Sequence, residues 1–137
     1  MKAFVDTSAW FAAANAKDRH HPRAIALLGA ELDLVTSTFV IVETWLLLQS
    51  KISFEIAEEF TSNVRLGAAA IASVTMSDLD HAWHMPAAFS DQRFSLVDRT
   101  SFAIMQRLEI SKAVTFDDDF VICRFGPDRR HAFEVLR

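Results

Sequence analysis

Short β-type runs alternate with helical stretches along nearly the whole chain, and that alternation constrains the fold more than any other feature. Lys2–Val5, Leu34–Thr36, Ala70–Thr75 and Ala113–Phe116 read as strands, and Ala132–Leu136 as a terminal one. Between them, His21-Pro22 opens a helix that closes near Gly29, and another helix runs from about Thr38 to Gln49. Ser53 caps a longer amphipathic helix, on which Phe54, Ala57, Phe60 and Val64 keep helical spacing. Ser77-Asp78-Leu79-Asp80 has capping-box form for a helix through His84 to Phe89, and Ser95 to Ile110 forms one more. Strands alternating with helices predict a central, mostly parallel sheet of four to five strands covered on both faces: an α/β/α sandwich with right-handed crossovers. With 137 residues and no repeat, linker or composition break, the expectation is a single domain over 1–137.

Four acids interrupt this apolar framework. Asp6 follows Phe4-Val5, Glu43 lies within Phe39-Val40-Ile41-Val42-Glu43-Thr44-Trp45, Asp98 follows Ser95-Leu96-Val97, and Asp117 follows Val114-Thr115-Phe116. Carboxylates are rarely buried unless paired or bound to metal, so four placed this way suggest convergence on a cation. In parallel sheets ligands bind beyond the carboxyl ends of the strands, where Asp6 and Asp117 fall. Each acid also has an ordinary structural use: Asp6 as a helix cap, Asp98 within a capping box, Asp117 to Asp119 as a solvated turn. Glu43 resists such a reading most, because its helical neighbours Phe39, Val40, Leu46 and Leu47 are all apolar.

Composition sets the surroundings of such a site. The lone Cys123 sits in an apolar run and forms no internal disulfide, which fits a reducing cytoplasm. No apolar run reaches the length of a membrane span, and Asp6 breaks the first one before it can act as a signal core. A 51% apolar content with 12 Phe leaves surface for a partner or a second copy of the chain. The net charge of −4 argues against a nucleic-acid binder, except that clustered acids contribute it and bound cations offset it locally.

Taken in order, Phe4-Val5-Asp6-Thr7-Ser8, Val42-Glu43-Thr44, Phe94-Ser95-Leu96-Val97-Asp98 and Val114-Thr115-Phe116-Asp117-Asp118-Asp119-Phe120 resemble the four acidic motifs of PIN-domain ribonucleases, in particular the VapC-like toxins of bacterial toxin–antitoxin pairs. The resemblance implies a PIN-like sandwich and a Mg²⁺-dependent endoribonuclease, with Mn²⁺ able to substitute, leaving a 5′-phosphate and a 3′-hydroxyl. It makes Asp6, Glu43, Asp98 and Asp117 the catalytic and metal-binding acids. Asp119 would assist Asp117 or replace it as the direct ligand, and Thr115 and Ser8 would be the supporting hydroxyls. It further implies a small antitoxin partner and a homodimer. The chain departs from the pattern at Arg99, which follows the third acid where small residues are common.

Arg93 and Arg99 flank the third acid and are candidate RNA contacts. Arg124, Arg129 and Arg130 form a basic tail suited to RNA or to an acidic partner segment. His81 and His84 stand one turn apart but lack a third ligand for zinc, and His20-His21 with Arg19 and Arg23 suit either phosphate or a solvated helix start. Two other classes stay open: a non-catalytic PIN-like protein that binds metal or a partner, and an aspartyl phosphatase or phospho-acceptor. The latter is disfavoured because Asp6-Thr7-Ser8 lacks the second Asp that such phosphatases use and the last strand offers no suitably placed Lys.

Overall fold

Strand β1 (Lys2–Val5) is the centre of the structure, and its Ala3, Phe4 and Val5 are wholly buried, as a strand covered on both faces requires. The computed structural model describes residues 1–85 and 93–137. On one side of β1 lie β2 (Asp33–Ser37) and β3 (Ala70–Ala72); on the other lie β4 (Lys112–Val114) and β5 (Glu134–Leu136). The order is β3-β2-β1-β4-β5, and every pairing is parallel. The chain builds outward from β1 to β3, then returns to its other flank, so the strand order switches between β1 and β4. Residues that follow those two strands face a common crevice.

Helices α1 (Thr7–Ala14), α2 (His21–Leu28), α3 (Thr38–Lys51) and α4 (Phe54–Asn63) form one packed group, with α1 against α2 and α3, and α3 against α4. Helix α5 (Met76–His84) packs on α6 (Leu96–Arg107), and a short α7 (Asp119–Ile122) lies beside β5. Right-handed crossovers put the two groups on opposite faces, which gives the expected three layers. Among the described residues no helix is long and apolar enough to cross a membrane.

Much of the Phe content serves one cluster. Phe102 of α6 meets Phe94 at 5.2 Å, Phe120 of α7 at 4.9 Å and Phe133 at 5.8 Å between ring centroids. Such pairs contribute about 0.5–1.5 kcal/mol each beyond the burial of their area. They bind α6 to α7 and so fix the helices that carry Asp98 and Asp119. A second tie joins α5 to α6: Arg107 grips the buried Asp78 with Nε–Oδ1 2.8 Å and Nη2–Oδ2 2.9 Å. Burial works against the Asp78 charge, but the guanidinium and the Thr75 cap outweigh it and hold the carboxyl below its ordinary value.

Several local expectations shift. The capping box of α5 is made by Thr75 and Asp78, with the helix starting at Met76, so Ser77 is already inside it. The helix ends at His84, and the expected continuation over residues 86–89 lies outside the described residues. Strand β3 stops at Ala72, and Val74 N–H turns to the Thr38 hydroxyl at 3.1 Å. Strand β4 ends at Val114: the Thr115 N–H still reaches the Leu136 carbonyl at 3.3 Å, but the Phe116 N–H turns to Ser8 Oγ at 2.9 Å.

Candidate active site

Asp6 occupies the N-cap position of α1 with extended backbone, but its side chain makes no capping hydrogen bond. The carboxylate turns into the β1/β4 crevice. There its Oδ2 accepts from the Thr115 hydroxyl at 3.0 Å and from Ser8 Oγ at 3.3 Å. Its Oδ1 is buried with no partner, one of two such side-chain atoms among the described residues; Thr44 Oγ1 is the other. A buried carboxylate oxygen without a donor costs a few kcal/mol, so this atom calls for a cation or a proton. Burial pushes the Asp6 carboxyl from 3.8 up to about 6; Asp117 and Glu43 add repulsion, while the Thr7 N–H and Thr115 hydroxyl partly offset it.

Asp98 stands in the first turn of α6. Its backbone N–H is capped by Ser95 Oγ at 3.0 Å, so half of the expected capping box exists, while its carboxylate faces the crevice. Burial, a carboxyl–carboxyl hydrogen bond with Asp119, and the charges of Asp6, Asp117 and Asp119 push its pKa up to about 8. Asp117 follows β4: Thr115 Oγ1 accepts its N–H at 3.0 Å, and one of its carboxylate oxygens accepts the Asp119 N–H, also at 3.0 Å. One carboxylate oxygen from each of Asp6, Asp98 and Asp117 lies within 4.8 Å of the others. Three oxygens from three separate elements form the donor set that hard divalent cations prefer. The residues therefore fit such an ion.

Glu43 stands outside that trio and accepts the Thr7 hydroxyl at 2.7 Å, close enough for its charge to act on Asp6. It is half-buried, and Leu46 one turn on is 55% exposed, so α3 does show water part of its apolar surface. Among the four acids the deepest burial falls on Asp6 and Asp98 instead. Ser8 Oγ also lies 3.1 Å from Thr115 Oγ1 and receives the Phe116 N–H at 2.9 Å, so the hydroxyls of Ser8 and Thr115 brace the ends of β1 and β4 together. Asp118 points away and pairs with Arg137 at 2.8 Å.

Arg93 is exposed just ahead of α6. Arg99 is drawn back onto α5, its Nη1 donating to the Ala82 carbonyl at 3.1 Å. Two features escape a reading of the chain alone. The carboxyl pair Asp98–Asp119 depends on the Phe cluster that docks α7. His20 stacks on Phe116 at 4.4 Å and 7° between planes, which brings the start of α2 to the crevice. Paired aromatic rings at such sequence distance leave no local signal.

The PIN domain family matches residues 3–125 of the chain. A curated relative, the 23S rRNA-specific endonuclease VapC20 of Mycobacterium tuberculosis, is 36% identical over 124 residues, 89% of this chain and 94% of that one. The crystal structure of M. tuberculosis VapC20, described as a sarcin–ricin loop cleaving toxin, matches with a TM-score of 0.80 and 34% identity over 87% of this chain and 92% of that one. The crystal structure of VapBC2 from Rickettsia felis, bound to a DNA fragment from its promoter, shares the fold with a TM-score of 0.64 over 100% of both chains at 13% identity.

Proposed function

Because the chain belongs to the PIN domain family, we propose that it is a Mg²⁺-dependent endoribonuclease and the toxin of a VapBC-type toxin–antitoxin pair. The observation that carries this reading is the trio Asp6, Asp98 and Asp117, which brings one carboxylate oxygen from each of three elements within 4.8 Å of one another, with Asp6 also holding a buried oxygen that has no donor. Its relationship to VapC20 makes 23S rRNA, and its sarcin–ricin loop, the first substrate to try.

Asp6, Asp98 and Asp117 would hold Mg²⁺ or Mn²⁺, with Glu43 and Asp119 completing the acidic ring. When bound, the cation supplies Lewis acidity toward the phosphate and lowers the pKa of water for in-line attack. Thr115 and Ser8 hold Asp6 Oδ2, leaving Oδ1 directed at the ligand. Thr7 does the same for Glu43 Oε1. Asp98, raised by burial and its hydrogen bond with Asp119, would release its proton on holding the cation as an anion. No Ser or Cys nucleophile is required, so hydrolysis proceeds without a covalent intermediate.

Exposed apolar groups support the partner expectations. Val42 and Leu46 of α3 and Phe54 of α4 are each more than half exposed, which suits a homodimer contact. A groove of about 330 Å³ between α1, α2 and α4, floored by Trp10, Leu28 and Phe60, suits the apolar segment of an antitoxin. The nuclease reading is tested by incubating the protein with total cellular RNA and Mg²⁺ and mapping new 5′ ends. Discrete 5′-phosphate ends that disappear with EDTA are expected; RNA left intact across a broad panel would contradict it and favour a non-catalytic binding protein.

A further inference from the structure

Residues 125–131 form a small hairpin just after α7. Phe125 and His131 exchange both backbone hydrogen bonds, at 3.0 and 3.3 Å. Their rings lie 5.7 Å apart, and Phe125 stacks on the buried Phe133 at 4.6 Å, so the Phe cluster anchors the stem. The turn is built for one shape. Gly126 has φ +87°, and a Cβ there would fall 2.5 Å from His131 Cδ2, so only glycine fits. Arg129 is itself left-handed at φ 54°, held by its N–H to the Gly126 carbonyl at 3.1 Å. A rigid, strained turn thus lifts Arg129 and Arg130 into solvent. Arg130 lies 3.8 Å from Asp128, whereas the Arg129 side chain has no ion pair among the described residues.

Between this hairpin and the last turn of α5 lies a cleft of about 560 Å³, bordered by His81, His84, Arg124, Phe125 and Arg129. Among the described residues Asp80 is the one acid on its wall, and His84 Nδ1 lies 3.5 Å from it. The cleft adjoins the carboxylates through α7. Asp119 at the start of that helix bonds Asp98, while Cys123 and Arg124 at its end line the cleft, about 6 Å or one turn away. In a chain of net charge −4, Arg124 and Arg129 on this cleft, about one turn of α7 from an acidic centre, sort charge along a single track.

We propose that the hairpin clamps the phosphate backbone of the RNA strand next to the scissile bond, with Arg129 and Arg130 as phosphate contacts. The clamp rests on the nuclease reading. It answers how an acidic protein holds RNA: the carboxylates face the reacting phosphate with their cation, and the arginines hold its neighbours. An acidic protein segment would satisfy the arginines equally, but the continuity of the cleft with the carboxylate edge favours the strand being cut.

The test uses the full chain carrying Asp6→Asn, in Mg²⁺, with a fluorescein-labelled single-stranded RNA of mixed sequence read by anisotropy over a salt series. Arg129→Glu with Arg130→Glu should weaken binding at least tenfold and flatten the slope of log affinity against log salt by about 1.4, as loss of two phosphate contacts requires. Arg65→Glu, exposed on the turn after α4, makes a single charge reversal away from the cleft and should leave affinity within twofold. In the catalytically intact chain the double change should raise KM while kcat stays within about threefold. Equal losses from the hairpin and Arg65 changes, or none from either, would overturn the clamp. So would unaltered RNA binding with lost affinity for polyglutamate, which would assign the hairpin to an acidic protein partner. A parent that neither binds nor cuts RNA would instead overturn the nuclease reading beneath it.

Discussion

Thr115 donates its hydroxyl to Asp6 Oδ2 at 3.0 Å, joining residues 109 positions apart at the ends of neighbouring parallel strands. The same Oγ accepts the Asp117 N–H at 3.0 Å, so one threonine fixes two of the three clustered acids. Its hydroxyl orients the carboxylates while leaving Asp6 Oδ1 without a partner.

Thr115→Val keeps the shape of the side chain but releases Asp6 and the Asp117 backbone. Loss of an outer-shell partner commonly lowers metal affinity about 10–100-fold. The Mg²⁺ concentration that gives half-maximal cleavage should rise by that order, while the melting temperature in EDTA falls modestly. An unchanged Mg²⁺ midpoint would show that Thr115 only packs.

Metal-free stability should fall as pH rises. Asp6 and Asp98 ordinarily titrate near 3.8 but are pushed up to about 6 and about 8 in the fold. The folded state therefore binds their protons more tightly than the unfolded chain does. Their contribution is complete below about pH 4 and is lost progressively up to about pH 8. Melts in EDTA should show a drop of at least about 5 °C between pH 5 and pH 8, a drop that millimolar Mg²⁺ removes and Asp98→Asn reduces. A flat profile would mean that the acids do not repel one another as their positions require.

Glu43→Gln retains an oxygen for the Thr7 hydroxyl but removes the charge. Cleavage should fall less than with Asp6→Asn, because Glu43 lies outside the trio within 4.8 Å. Side-by-side rates at saturating Mg²⁺ check this, and equal loss from both changes would place Glu43 in direct contact with the cation.

Arg107→Leu strands the buried Asp78 carboxylate, whose side chain is 3% exposed. The cost should be about 2 kcal/mol, moderated because Arg107 itself is 41% exposed. Urea unfolding should register it as a lower midpoint with an unchanged slope, and Mg²⁺ affinity below the transition should be that of the parent.

The sheet and the trio were legible because both follow from local pattern. Apolar runs capped by an acid mark strand ends, and the sheet rule then brings Asp6 and Asp117 to one edge. Asp98 was legible as the first turn of a helix, although its N–H and its carboxylate serve different ends. Boundaries failed where tertiary bonds intervened: the Phe116 N–H leaves the ladder for Ser8 Oγ, and Thr75 displaces Ser77 as the cap of α5. Arg99 read as an RNA contact by proximity to Asp98, yet in the fold it bonds the Ala82 carbonyl. Helix α7 is a single turn with no periodicity of its own, so the Asp98–Asp119 pair was beyond any local signal.

The most direct test is the rate of RNA cleavage across a Mg²⁺ titration, measured for the parent chain and for Asp6→Asn, Asp98→Asn and Asp117→Asn with matched folding checks. Expected are saturable dependence on Mg²⁺ in the parent and a loss of at least about 100-fold in each variant. Cleavage that persists in EDTA, or that any of the three well-folded variants carries out at the parental rate, would contradict a cation held by these carboxylates as the agent of hydrolysis.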